Sequence, residues 1–152
     1  MGIFDGKPTM PRYEVRLAET VQAPVAEVFA FFADHERFTT LFGSRCVRIR
    51  EGELEPNGIG SVRRIGEGSK AFDETIVAFE PNRRIDYQVT RGSPIKNHLG
   101  QIQFRSENGA TKIDYVIRFD PKIPCTGRLL VLGLKMMWRR NAPKILQGLE
   151  RA

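Results

Sequence analysis

Three residues on neighbouring stretches carry charged or titratable groups where their neighbours are apolar: Arg63, Glu74 and His98. In an antiparallel pair, residues directly opposite share a face and their numbers sum to a constant. A turn over Gly66 to Lys70 sets Arg63 opposite Glu74. A turn over Glu80 to Arg83 sets Ala78 opposite Ile85, Ile76 opposite Tyr87 and Glu74 opposite Val89. A loop over Gly92 to Lys96 that sets Val89 opposite His98 also brings Tyr87 against Gly100, which adds free volume beside that ring. Arg63, Glu74 and His98 then form one polar row across a sheet. An arginine there can hold a carboxylate, phosphate or carbonyl oxygen, and a carboxyl or imidazole can move a proton. The plainer reading is a buried ion couple and a rim histidine, which imply neither catalysis nor much stability.

The same register gathers Ile65, Phe72, Ile76, Ile85, Tyr87, Val89, Ile102, Phe104, Ile113, Tyr115, Ile117 and Phe119 on the face that holds the polar row. A slip of one residue would turn charges inward instead. A few polar groups on an apolar face are the usual make-up of a small-molecule pocket. Phe72, Ile76, Tyr87, Gly100 and Tyr115 are therefore candidate ligand contacts beside Arg63, Glu74 and His98.

The elements that position this face follow from the apolar spacing. Tyr13 to Val21 alternates and reads as a strand. Val25, Val28, Phe29 and Phe32 make one face of a short helix begun by Pro24. Asp34 is a candidate N-cap for a second short helix that turns Phe38 and Leu41 inward, places His35 outward and closes at Gly43. Six further strands are expected: Arg45 to Glu51, Ile59 to Gly66, Ala71 to Phe79, Arg84 to Thr90, Asn97 to Arg105 and Thr111 to Phe119. Thr126 to Leu149 is one long amphipathic helix whose Leu130, Leu134, Met137, Trp138, Ile145 and Leu149 recur at helical spacing. Met137 and Trp138 are its candidate ligand contacts. Pro143 falls inside it, and a kink or break is expected between Arg139 and Pro143, with Asn141 turned inward to satisfy a freed carbonyl. The expected architecture is α+β, a seven-stranded antiparallel sheet wrapped around the terminal helix.

A chain of 152 residues suits one domain over 13–152, behind a flexible tail over 1–12 with Gly2, Gly6, Pro8 and Pro11. The net charge is +6. From Cys125 onward, six cations (Arg128, Lys135, Arg139, Arg140, Lys144 and Arg151) face the single anion Glu150. That helix could be a solvated face or could touch an anionic membrane surface. No nucleic-acid motif or interleaved stacking aromatic accompanies the basic residues. Cys46 and Cys125 read as buried thiols, and the expected compartment is the cytoplasm. There is no phosphate loop, nucleophile elbow or His pair at metal spacing, so neither a metal nor a cofactor is expected.

The element order and four motifs resemble the helix-grip superfamily of START domains, plant pathogenesis-related allergens and polyketide cyclase/dehydrases, often called SRPBCC. The motifs are Val21-x-Ala23-Pro24-x-x-x-Val28-Phe29, Gly58-x-Gly60-Ser61-x-Arg63, Glu80-Pro81-x-Arg83-Arg84-Ile85-x-Tyr87 and Gly109-x-Thr111-x-Ile113-x-Tyr115. One departure is the second short helix, where relatives often carry a tryptophan and this chain has Leu41-Phe42. The resemblance implies a cavity between sheet and terminal helix for a small hydrophobic molecule such as a lipid, polyketide or isoprenoid. The chain would then be a carrier or sensor. The alternatives are a cyclase or dehydratase using Arg63, Glu74 and His98, and a docking module with an incidental cavity. Fold alone does not choose among them.

Overall fold

The computed structural model describes residues 10–150. Strand β1 (Tyr13–Val21) is followed by helices α1 (Val25–Ala33) and α2 (His35–Thr40). Strands β2 (Cys46–Arg50), β3 (Val62–Ile65), β4 (Phe72–Glu80), β5 (Arg84–Arg91), β6 (Ile95–Glu107) and β7 (Ala110–Pro121) come next, and helix α3 (Gly127–Glu150) is the last described element. The strands form one antiparallel sheet in the order β1-β7-β6-β5-β4-β3-β2. The expected tail over 1–12 lies mostly outside the described residues. From Arg12 the chain is fixed, its N–H donating to Asp120 Oδ1 at 2.8 Å.

Local chemistry sets the element ends. Asp34 caps α2 by accepting from the Arg37 N–H at 3.1 Å, and Gly43 ends it at φ +69°. Pro24 stands one residue earlier than expected, as the N-cap of α1 with extended backbone. There its fixed φ still suits the helix start and its missing N–H costs nothing. Strand β3 is shorter than expected, because Gly52 to Gly60 pack as a loop whose backbone bonds fold back on one another.

The register matches expectation at Arg63/Glu74, Ile76/Tyr87, Glu74/Val89 and Tyr87/Gly100. It differs beyond Ile76. The partner of Ile85 is Phe79 and Ala78 faces Asp86, because a bulge at Val77 adds a residue to β4. Val77 is pushed outward, and the Phe79 ring meets Phe29 at 5.3 Å between centroids. The β5–β6 ladder ends at Tyr87/Gly100, so Val89 and His98 are not strand partners. A shift between Lys96 and Leu99 turns the His98 side chain in, and its Nδ1 takes the Val89 N–H at 3.0 Å. An imidazole stands there in place of a strand carbonyl.

The core lies on the inner face, with Phe32, Leu41, Ile102, Tyr115 and Phe119 fully enclosed. Gly100 has no volume to spare. A Cβ there would lie 2.3 Å from the Tyr87 ring, so the aromatic lies directly over the glycine across the strands. Gly127 serves the same purpose at the start of α3, where the Tyr13 ring occupies the place of a Cβ.

Helix α3 packs on β1 and β7. Trp138 anchors it: its Nε1 donates to Glu19 Oε1 at 3.0 Å, and its ring meets Tyr115 and Phe42. Ala142 and Leu146 continue that buried contact. The helix is continuous across Pro143, so the expected break is absent. Asn141 is half-buried and its amide donates to the carbonyl of Met137 at 2.8 Å, not to that of Arg139. Cys46 is half-buried and Cys125 exposed, correcting the expectation of two buried thiols. Cys125 lies on the loop between β7 and α3, outside the sheet. Among the described residues, no helix is long and apolar enough to cross a membrane.

Candidate ligand-binding site

Because α3 leans on the β1–β7 side, it leaves a space between itself and the inner face of β3, β4 and β5 beside α2. A cavity of about 290 Å³ occupies that space. Its floor comes from Ile65, Phe72, Glu74, Tyr87, Val89, His98 and Ile117 on the sheet. Phe38, Thr39 and Phe42 close one side, and Leu130, Gly133, Leu134 and Met137 of α3 form the roof. Leu129, Met137 and Pro94 reach solvent, which places the mouth between the first half of α3 and the β5–β6 loop. The wall is almost wholly hydrocarbon, as small-molecule pockets generally are.

Of the sequence candidates, Phe72, Glu74, Tyr87, His98 and Met137 line this cavity. Arg63, Ile76, Gly100, Tyr115 and Trp138 lie behind the wall. Their strand parity or helical spacing points them inward, but other side chains cover them. Tyr87 covers Gly100, and Phe38 and Phe42 pack against Tyr115.

Arg63 is 1% exposed and organises the polar floor. Its Nε donates to Glu74 Oε2 at 2.7 Å. Its guanidinium packs against two neighbouring rings, with Cζ 4.4 Å from the Phe38 centroid and 4.7 Å from that of Tyr87. Each desolvated cation–π contact of this kind contributes about 2 kcal/mol. Nη2 is 2.6 Å from Glu74 Oε2 but makes no hydrogen bond there, since it lies off the hydrogen-bonding direction.

His35 completes the cluster, and its placement corrects the sequence reading of it as outward. It is 3% exposed. Arginine can only donate, so the 3.4 Å contact from Arg63 Nη1 makes His35 Nδ1 the acceptor. The ring proton then sits on Nε2 and donates to Ser61 Oγ at 2.9 Å, and Ser61 donates to the carbonyl of Arg50 at 3.1 Å. The signal was present in the i, i+3, i+7 spacing of His35, Phe38 and Phe42, in and just past α2.

Burial dominates the protonation of this floor. It pushes His35 from 6.5 to about 3, with the charges of Arg63 and Arg48 adding to the effect and Asp34 opposing it. It pushes His98 from 6.5 to about 4, again helped by Arg63. Both imidazoles are therefore neutral at pH 7. Burial pushes the Glu74 carboxyl up, while the charge and hydrogen bond of Arg63 hold it back. Tyr87 and Tyr115 are driven up by burial and bond to each other through their hydroxyls. Among the described residues, no group of three or more His, Cys, Asp or Glu side chains could hold a metal ion.

The chain belongs to the family described as polyketide cyclase / dehydrase and lipid transport, whose model matches residues 12–152. Solved structures share the helix-grip fold. A protein of Mesorhizobium loti is 14% identical with a TM-score of 0.70, over 92% of this chain and 98% of that one. A protein of Thermobifida fusca is 19% identical with a TM-score of 0.69, over 91% and 93%. Ara h 8.0201 is 17% identical with a TM-score of 0.62, over 90% and 95%. At these identities the likeness is one of fold. No curated protein matches the chain in sequence.

Two outcomes follow from the buried cluster. Glu74→Ala leaves the Arg63 cation buried without its partner and should cost about 3–5 kcal/mol of stability in urea unfolding. An unfolding curve that overlays the parent would show that the pair contributes nothing. The second concerns pH. The histidines are depressed in the folded state, so between pH 6.5 and about 4 the unfolded chain binds more protons. Their stabilisation is full above 6.5 and is lost as pH falls towards those lowered values. Glu74, raised above 4.5, works in the opposite sense and offsets part of the loss. The urea midpoint should fall steadily from pH 6.5 to 4, with a shallower slope in His98→Asn; a flat parent profile would contradict this.

Proposed function

We propose that the chain encloses a small apolar molecule, of lipid, polyketide or isoprenoid type, and acts as its carrier or sensor. The observation that supports this most is the hydrocarbon-walled cavity of about 290 Å³ with its mouth beside α3. Few polar groups converge on it, and none has the setting of an activated nucleophile.

The cyclase or dehydratase reading draws on one observation, a carboxyl group on the cavity wall whose protonation is pushed up by burial. It loses its second participant. The basic nitrogen of His98 is occupied by the Val89 N–H, so that ring has no free lone pair to serve as a general base. Turnover would rest on Glu74, itself held by Arg63.

Native mass spectrometry of the purified protein, followed by solvent extraction, should find a co-purifying apolar molecule. Gly133 provides the matching variant. It lines the roof, and a Cβ built on it meets nothing within 4 Å. Gly133→Leu therefore starts from an unobstructed Cβ, takes up volume at the roof and removes a helix-interior glycine, worth roughly 0.5–1 kcal/mol. Ligand retention should fall at least about tenfold, with stability unchanged or higher; full retention in a folded variant would place the ligand elsewhere.

The mouth suits an anionic membrane surface as the place of exchange. Leu129, Leu132 and Met136 are exposed on α3, and Arg128, Arg139 and Arg140 are exposed on the same helix. The protein should sediment with phosphatidylglycerol vesicles more than with phosphatidylcholine ones, and Leu132→Glu should weaken this. Equal sedimentation with both lipids, or none with either, would remove the contact.

A further inference from the structure

The polar end of the cavity has few groups left to offer a ligand. The Tyr87 hydroxyl is bonded to that of Tyr115, so Tyr87 presents its ring. Thr39 Oγ1 donates to the carbonyl of His35 at 3.1 Å. Ser93 Oγ, on the β5–β6 loop, accepts from the Ile95 N–H at 3.3 Å. Ser44 and the free proton of Ser93 offer neutral hydroxyls away from the floor; on the floor itself Glu74 and His98 remain. Glu74 Oε2 takes the Arg63 bond, and no hydrogen bond falls on Oε1 among the described residues. His98 Nδ1 takes the Val89 N–H, which puts the ring proton on Nε2, a donor without a partner among the described residues. Both residues line the cavity. The Tyr87 ring adjoins both groups: the guanidinium that holds Glu74 packs on it, and the His98 ring centroid is 5.3 Å away.

The cavity floor thus offers one acceptor of anionic character and one neutral donor. Arg63 balances the carboxylate but is itself sealed beneath the wall. A ligand carboxylate entering here would meet Glu74 with no exposed cation to receive it, in an apolar surrounding where like charges repel strongly. A hydroxyl can donate to Glu74, and an oxygen lone pair can accept from His98. We propose that this end of the cavity selects an uncharged ligand bearing a hydroxyl, an alcohol or phenol on an apolar body, and rejects the carboxylate of the same body. This rests on the reading of the cavity as the ligand site. It narrows that reading to neutral hydroxylated molecules and turns it away from fatty-acid anions.

Three probes with one apolar body separate the cases: naphthalene, 2-naphthol and 2-naphthoate, titrated into the parent protein at pH 7 by calorimetry or fluorescence. The expected order is 2-naphthol tightest, by at least about tenfold over 2-naphthoate, since one hydrogen bond to a charged group is at stake on one side and an unmatched charge on the other. In Glu74→Gln the carboxylate is gone and the two should converge, the phenol weakening and the carboxylate improving. Binding of all three within about twofold would leave the cavity reading standing and overturn the selection. Tightest binding by 2-naphthoate would also overturn it, by showing that the ligand reaches Arg63. If none of the three binds, the cavity reading and this selection fall together. The parent comparison decides the matter even if Glu74→Gln fails to fold.

Discussion

The buried guanidinium of Arg63 is the constraint from which the site follows. A cation at 1% exposure must find its solvation inside the protein. Its setting provides a carboxylate on β4, a neutral imidazole on α2 and the faces of two aromatic rings. Those partners come from β4, β5 and α2, so one side chain ties the second helix to the sheet. Satisfying it fixes Glu74 against the cavity, fixes the rotamer of Tyr87 and sets the tautomer of His35. A hydrophobic side chain in its place would leave Glu74 as the uncompensated charge.

The sequence carried the fold well because a sheet with one covered face writes itself as alternation. Tyr13 to Val21 is the first strand residue for residue, and Ile65, Ile76, Ile102, Ile113 and Phe119 all turn inward. The Arg63/Glu74 pairing followed from a tight turn, where loop length dictates register. The bulges did not show. Val77 sits in a run that alternates acceptably in either register, and only the inward packing of Phe79 on Phe29 selects the shifted one.

The site was less legible for a related reason. Alternation says which face a side chain takes but not how deeply it lies. Tyr115 and Trp138 point inward and end behind other side chains, because Phe38 and Phe42 reach over them. His35 was hidden by its own polarity, which suggested solvent although its spacing matched that of Phe38 and Phe42. The tautomer of His98 depends on a strand ladder that stops early at Gly100, and no sequence pattern marks that stop.

The attachment of α3 has a mechanical meaning. The helix is pinned at its first residue, where Gly127 meets Tyr13, and again from Trp138 through Ala142 to Leu146. Between them Leu130, Val131 and Leu134 meet the core only part-buried and the span roofs the cavity, so the helix resembles a beam held most firmly near both ends. Fraying from the N-terminal end must first break the Gly127 contact, and a rigid tilt must undo the Trp138 anchor. The least costly deformation is a bow, or a local unwinding of roughly three turns in mid-span. For the carrier role proposed above, exchange of a ligand would loosen the middle of one helix while its supports and the whole sheet stay in place.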